Sequence, residues 1–167
     1  ILKMLVNTNA AEETSCLTKR QREVLKIAAN LGYSVDYRAH VVAILQTSYA
    51  TVQNHTGNIM KRMEVHDIFA AVCKVLQVGA LSIDEVVGDS DRLTNLRLGL
   101  EELTANEEKV LKAFYACSLE EGRANYDIVA LRLGLTTFMV NNTVHSIYTK
   151  LKKCGVHNRA QLAVAAH

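Results

Sequence analysis

The chain has 167 residues, of which 49% are hydrophobic and 5% aromatic, and its formal net charge is only +2. No apolar run approaches the roughly 20 residues that span a bilayer, and residues 1–6 are too short for a signal peptide, so we expect a soluble, cytoplasmic protein. The lack of proline and tryptophan is typical of short helices joined by polar turns, which predicts an all-α fold.

The sequence offers little chemistry for catalysis or metal binding. Cys16, Cys73, Cys117 and Cys154 lie far apart, which excludes a Cys-x-x-Cys pair and favours buried free thiols. The spacing of Cys154 and His157 supplies one pair of ligands, and no second pair completes a tetrahedral site. Because glycine-rich phosphate loops, His-x-x-x-His pairs and nucleophile elbows are also missing, we expect no enzyme, no metal and no cofactor.

The sequence contains nearly the same pattern twice. Residues 17–25 and residues 103–111 both begin with Leu-Thr and end with Val-Leu at the same spacing. In each copy a short apolar helix pattern, a polar turn and a more polar helix pattern follow. This duplication predicts two domains, each with a small core of its own. We place an N-terminal extension at 1–16, the first domain at 17–79, a connector at 80–102 and the second domain at 103–167.

Apolar periodicity and capping residues predict four helices in each repeat. In the first repeat we expect them at about 18–31, 37–46, 49–63 and 67–78. In the second repeat we expect them at about 104–119, 126–133, 137–153 and 158–166, the third being about one turn longer than its counterpart. The connector is expected to form helical pieces at 83–87 and 93–100, separated by a break at 88–91, and to pack against a repeat.

The charges are distributed unevenly along these segments. Residues 17–79 carry eight Lys and Arg against four Asp and Glu, and residues 103–167 carry eight against five. The connector carries two against six, so both repeats are mildly basic and the segment between them is acidic. A mild positive charge is compatible with binding to nucleic acid, although a strong electrostatic binder would be denser in Lys and Arg.

The second and third helices of each repeat follow the helix-turn-helix layout, in which the later helix is polar because it lies in a DNA groove. In the first repeat this helix is expected to bury Val52, Ile59 and Met63. It is expected to turn Gln53, Asn54, Thr56, Lys61 and Arg62 outward.

These residues resemble the LuxR/GerE-type DNA-binding domain of bacterial transcription regulators. In the first repeat the resemblance lies in Thr51-Val52-x-Asn54-His55, followed by Asn58-Ile59-x-x-Arg62-Met63-x-Val65. In the second it lies in Val129-Ala130-x-x-Leu133-Gly134-Leu135-Thr136, then Cys154-Gly155-Val156-x-Asn158-Arg159-Ala160-Gln161. The resemblance implies tandem four-helix helix-turn-helix domains joined by a partly helical acidic connector, and a transcription regulator that binds double-stranded DNA.

Carried over residue by residue, the resemblance implies a DNA-binding surface in both repeats. In the first it comprises Ser48, Thr51, Gln53, Asn54, His55, Asn58, Lys61 and Arg62. In the second it comprises Thr136, Asn141, Asn142, Ser146, Lys150 and Lys153. Asn and Gln side chains bond the adenine edge bidentately, Lys and Arg neutralise phosphates, and the helix N-termini at Ser48 and Thr136 offer backbone N–H groups to phosphate.

Two further questions stay open at the level of sequence. The apolar stripe on the fourth helix of the first repeat is either core or an interface, between two chains of a homodimer or between the two repeats of an intramolecular pseudo-dimer. Its interface residues are Ile68, Phe69, Val72 and Leu76. The alternative function is a protein-interaction module that binds another regulator, a sigma factor or an RNA polymerase subunit. Low net charge, the acidic connector, and Gln53 and Asn141 where the family usually places a basic residue favour this alternative.

Overall fold

The computed structural model describes residues 17–31 and 36–167, and within these ranges every regular element is a helix. The expected all-α fold is therefore confirmed for the described residues. The first helix group consists of α1 (Lys19–Ala29), α2 (Tyr37–Leu45), α3 (Tyr49–Arg62) and α4 (Ile68–Gln77). The connector forms α5 (Ile83–Val87) and α6 (Ser90–Glu101). The second helix group consists of α7 (Ala105–Glu121), α8 (Tyr126–Leu133), α9 (Thr137–Leu151), a 3-10 turn (Lys152–Cys154) and α10 (Arg159–Ala166). Cys16 lies outside the described residues; Cys73, Cys117 and Cys154 are buried free thiols.

The two helix groups begin their helices in the same way. Each N-cap side chain accepts a hydrogen bond from a backbone N–H of the following turn, which satisfies a donor that has no partner within the helix. The caps of the first group are Thr18, Asp36, Ser48 and Asp67, and those of the second are Thr104, Asn125, Thr136 and Asn158. The first helix of each group carries a full capping box, with Gln21 or Glu107 reaching back to the cap.

The prediction of a longer third helix in the second repeat was wrong. α3 has 14 residues and α9 has 15, so the two helices have nearly the same length. The three residues that follow α9, Lys152–Cys154, form a 3-10 turn that ends at Gly155 with φ of 88°. Glycine adopts this left-handed conformation without steric cost, so the chain leaves the helix there.

The fourth helices, α4 and α10, pack against each other and join the two groups. Both are buried on nearly every side, because each lies between its own group and the other one. The contacts around them are reciprocal: α4 also packs on α7, and α10 also packs on α1. The buried apolar side chains consequently form one continuous cluster through both groups. The two separate small cores expected from the sequence are thus fused into one.

Backbone and polar contacts reinforce this junction at both of its ends. The His66 N–H donates to the Gly122 carbonyl at 2.6 Å, and the Ala124 N–H donates to the Asp67 carboxylate at 2.9 Å. At the other end, the fully buried Gln161 donates from Nε2 to the Asn30 carbonyl at 2.6 Å. Each of these three hydrogen bonds therefore joins one helix group to the other.

The connector also packs on both groups. α5 lies against α1, while α6 lies against the 3-10 turn and α9. The Arg92 guanidinium on α6 donates to the Leu31 carbonyl at 2.8 Å and so ties this helix to the end of α1. The expected break is confined to Gly88 and Asp89, since Asp89 already caps α6. The connector is a structural part of the fold, as the sequence predicts.

Two glycines provide a matched test of the junction. Gly122 and Gly134 have φ of 68° and 65°, so alanine at either position meets the same left-handed strain, about 1 kcal/mol. A Cβ at Gly122 would also lie 2.8 Å from the Glu64 carbonyl oxygen, whereas nothing lies within 4 Å of one at Gly134. We expect Gly122→Ala to lower the free energy of unfolding in urea by about 2–4 kcal/mol and Gly134→Ala by about 1 kcal/mol. Equal losses would contradict close contact between the groups.

Candidate nucleic-acid interface

The turn between α2 and α3 is held by two local features. Gln46 ends α2 in the left-handed conformation, with φ of 48°, and its N–H donates to the Val42 carbonyl. Ser48 then begins α3, its Oγ accepting from the Thr51 N–H at 3.1 Å. Arg20 on α1 donates to the Leu45 carbonyl at 2.9 Å and fixes the end of α2. These contacts set the direction in which α3 leaves the turn.

α3 presents a polar face to solvent. Gln53, Asn54, Asn58, Lys61 and Arg62 are exposed, whereas Thr51 and His55 are half-buried. The buried side of the helix is formed by Val52, Thr56, Ile59 and the cap residue Met63. Exposed amides next to exposed cations are the side chains that can reach base edges and phosphates.

One residue of this helix lies on the side opposite to that expected. Thr56 was expected to face outward, but only 1% of its surface is exposed. Its hydroxyl donates to the Val52 carbonyl one turn earlier, at 2.8 Å. Since this bond satisfies the only polar group of the side chain, the methyl group is free to pack in the core.

The second helix group repeats this arrangement with different side chains. Gly134, with φ of 65°, ends α8, and the Thr136 Oγ accepts from the Met139 N–H at 3.2 Å. Asn141 and Asn142 are exposed on α9, and the opposite side of the helix is buried through Val140, Val144, Ile147 and Leu151. The position that follows the N-cap by two is Ala50 in α3 and Phe138 in α9, and Phe138 is 72% exposed.

The cations of the second group are engaged by acidic side chains. Lys150 Nζ lies 2.7 Å from Glu107 Oε2, and Ser146 Oγ donates to Glu107 Oε1 at 2.7 Å. Lys153 Nζ lies 2.6 Å from the Glu102 carboxylate, and this hydrogen bond raises the pKa of Lys153. Three side chains that the resemblance assigns to DNA contact are therefore held by intramolecular bonds.

An equivalent contact occurs in the first group. Arg62 Nη1 donates to Gln21 Oε1 at 3.3 Å, and Gln21 occupies the same capping-box position as Glu107. Each group thus ties the start of its first helix to a cation near the end of its third. The sequence analysis did not predict this link. The distance along the chain from the Leu-Thr pair to Arg62 in the first group, and from the Leu-Thr pair to Lys150 in the second, differs by only two residues and would have indicated it.

The Glu107 carboxyl has an unusually low pKa. Burial, the largest single influence, raises the pKa, but hydrogen bonds from Lys150, the Thr104 backbone and Ser146 together bring the pKa of Glu107 to about 2. Only 5% of the residue is exposed, so these bonds are shielded from solvent. The charged carboxylate is the form that positions α9 on α7.

This pKa predicts a specific acid sensitivity. Because the folded pKa lies below the ordinary value of about 4.5, the carboxylate stabilises the fold fully above about pH 5 and less as the pH falls toward 2. We expect Glu107→Gln to lower the free energy of unfolding by about 2 kcal/mol at pH 7, measured in urea, with the deficit shrinking toward pH 3.

Gln21→Glu is the matched control, since it places a carboxylate opposite Arg62 in the same geometry. It is expected to increase acid sensitivity, whereas Glu107→Gln decreases it. An unchanged stability profile from pH 7 to pH 3 in Glu107→Gln would contradict the assignment.

Neither a metal site nor a membrane-spanning helix is found in the described ranges. Within residues 17–31 and 36–167, no cluster of three or more His, Cys, Asp or Glu side chains is placed to hold a metal ion. In the same part of the chain, no helix combines the length and apolar character that crossing a membrane requires.

Comparison with known proteins identifies the first helix group. Residues 15–75 match the GerE family, described as bacterial regulatory proteins of the luxR family. No curated protein and no solved structure matches the chain significantly. The matched residues contain α1 to α3 and most of α4, including the whole exposed face of α3. Residues 15–75 are therefore one helix-turn-helix domain of the GerE/LuxR family.

Proposed function

We propose that this chain is a bacterial, cytoplasmic transcription regulator that reads the DNA major groove through α3, and through α9 as the recognition helix of a second module. The observation that carries the proposal is the exposed polar face of α3, formed by Gln53, Asn54 and Asn58 beside Lys61, within the family match. Asn and Gln bond adenine bidentately, and an exposed Lys neutralises phosphate.

Three features support a second module at residues 103–167. The four helices follow in the same order as in the first group, and each again begins at a side-chain N-cap. The bond between Lys150 and Glu107 occupies the place of the bond between Arg62 and Gln21. The Asn pair on α9 is exposed. On this proposal the domain boundaries are 17–79 and 103–167, with 80–102 as the connector.

The contact between α4 and α10 is the interface through which the two proposed modules pack against each other. Ile68, Phe69, Val72 and Leu76 are all buried, and the Phe69 ring lies 6.3 Å from the Phe114 ring of the second group. We propose that these residues form an intramolecular pseudo-dimer interface, in place of the one between two chains. The second module then binds its half-site intramolecularly, which raises the overall affinity without new contacts.

The alternative, a protein-interaction module, is favoured by one feature of the second group. Lys150 and Lys153 are paired with carboxylates, and Arg132 is paired with Glu120, so three of the eight cations of this group are already engaged. This favours the first module as the main DNA reader. A protein-interaction module does not account for the exposed amides of α3 and α9, which the DNA-binding proposal explains as contacts with bases.

The proposal predicts a graded loss of DNA binding. Duplexes are first selected from a randomised library by the wild-type chain, and dissociation constants are then measured by fluorescence anisotropy over a range of salt concentrations. We expect Asn54→Ala to weaken binding about 5- to 150-fold, because it removes a bidentate base contact. Lys61→Gln is expected to weaken binding to all duplexes alike and to reduce the salt slope by about one.

Asn95→Ala is the matched control, because Asn95 is an exposed asparagine on α6 and belongs to neither of the proposed recognition helices. It should bind as the wild type does. The absence of salt-sensitive binding to any duplex at low ionic strength would refute the proposed function. Equal losses of DNA affinity in Asn54→Ala and Asn95→Ala would refute the role of α3.

A further inference from the structure

The second module carries a bulky, exposed apolar side chain at the start of its proposed recognition helix. Phe138 is 72% exposed, although complete burial of a Phe side chain contributes more to stability than almost any other. The equivalent residue of the first module is Ala50. The adjacent Met139 is 49% exposed, so the two side chains form an apolar patch at the start of a helix whose remaining exposed face is polar. An exposed apolar patch with a polar rim indicates contact with a ligand.

The position of Phe138 on α9 indicates which ligand. Phe138, Asn142, His145 and Thr149 are spaced by four, three and four residues, so they form one row along the helix. All four are exposed, and the row lies opposite the buried residues of α9. Recognition helices contact base edges with their N-terminal residues, so in a docked module Phe138 meets the groove floor together with Asn142.

The chemistry of the major groove restricts what a phenyl ring can recognise there. In the major groove, adenine, guanine and cytosine present only hydrogen-bonding groups, whereas thymine also presents its C5-methyl group. The neighbouring Met139 lines a cleft of about 180 Å³ together with Leu133 and Leu135 of its own module. Phe138 is not among the residues that line this cleft, and its ring projects beyond the helix.

We propose that Phe138 makes the second module a reader of thymine, its ring packing against a thymine C5-methyl group in the half-site under α9. This inference rests on the proposed function. The row on α9 contains no Lys or Arg, and Lys150 and Lys153 are held by carboxylates. The second module therefore relies less on phosphate and more on this apolar contact than the first module does.

The test uses the full chain and deoxyuridine, which pairs as thymine does but lacks the methyl group. Duplexes selected by the wild-type chain are resynthesised with deoxyuridine at each thymine in turn. At the contacted thymine we expect the wild type to bind about fourfold more weakly, the effect of losing one buried methyl group. Phe138→Ala is expected to bind the thymine and deoxyuridine duplexes equally.

Two control variants separate this contact from general effects. Leu131→Ala removes an equally exposed apolar side chain, but from α8, and should keep the wild-type ratio between thymine and deoxyuridine. Asn142→Ala should weaken binding to both duplexes and also keep the ratio. Circular dichroism checks that each variant is folded, as expected for exposed positions.

The outcomes distinguish this inference from the proposed function. Salt-sensitive DNA binding that is unaffected by deoxyuridine at every position, or a wild-type ratio in Phe138→Ala, would overturn the reading of thymine and leave the proposed function intact. Loss of all salt-sensitive binding in the wild type would remove both. If Phe138→Ala leaves DNA binding unchanged but abolishes a stoichiometric protein complex, the ring belongs to a protein-docking surface and the inference is wrong.

Discussion

The contact between α4 and α10 is the constraint on which the rest of this structure depends. Each of these helices is buried by its own helix group on one side and by the other group on the opposite side. Complete burial of Phe69 alone contributes about 1.5–3 kcal/mol. Each helix would lose the cover that the other group provides if the groups separated, so the apolar surface of both holds α3 and α9 in one fixed arrangement.

Within each helix group, one polar contact links the third helix to the start of the first, and the residues that form this contact differ between the groups. In the first, neutral Gln21 meets Arg62, which remains an exposed cation beside Lys61. In the second, charged Glu107 holds Lys150 and Ser146 in a buried network. The same position thus places a neutral amide against Arg62 in one group and a carboxylate against Lys150 in the other.

The sequence predicted the helices and the family of the first domain because local chemistry determines both. Caps such as Ser48 and Thr136, apolar spacing and the Thr-Val-x-Asn-His pattern act within a few residues of one another. It could not predict features that depend on distant residues. The apolar stripe on α4 left open whether this helix packs in the core of its own domain, against another chain or against the second repeat. The periodicity of residues 137–153 continued past Leu151, so the 3-10 turn was missed. Thr56 was placed outward because its polarity is visible in the sequence and its bond to Val52 is not.

Native-state amide hydrogen exchange in increasing urea tests the central claim most directly, because it measures the opening free energy of each helix separately. If α4 and α10 are the shared centre of one fold, the slowest amides of both helices should open with the same free energy, equal to that of global unfolding measured by circular dichroism. A substitution in one group that destabilises it, such as Val110→Ala on α7, should lower both values together. Separate opening free energies for the two helices, with α4 unaffected by Val110→Ala, would contradict the account.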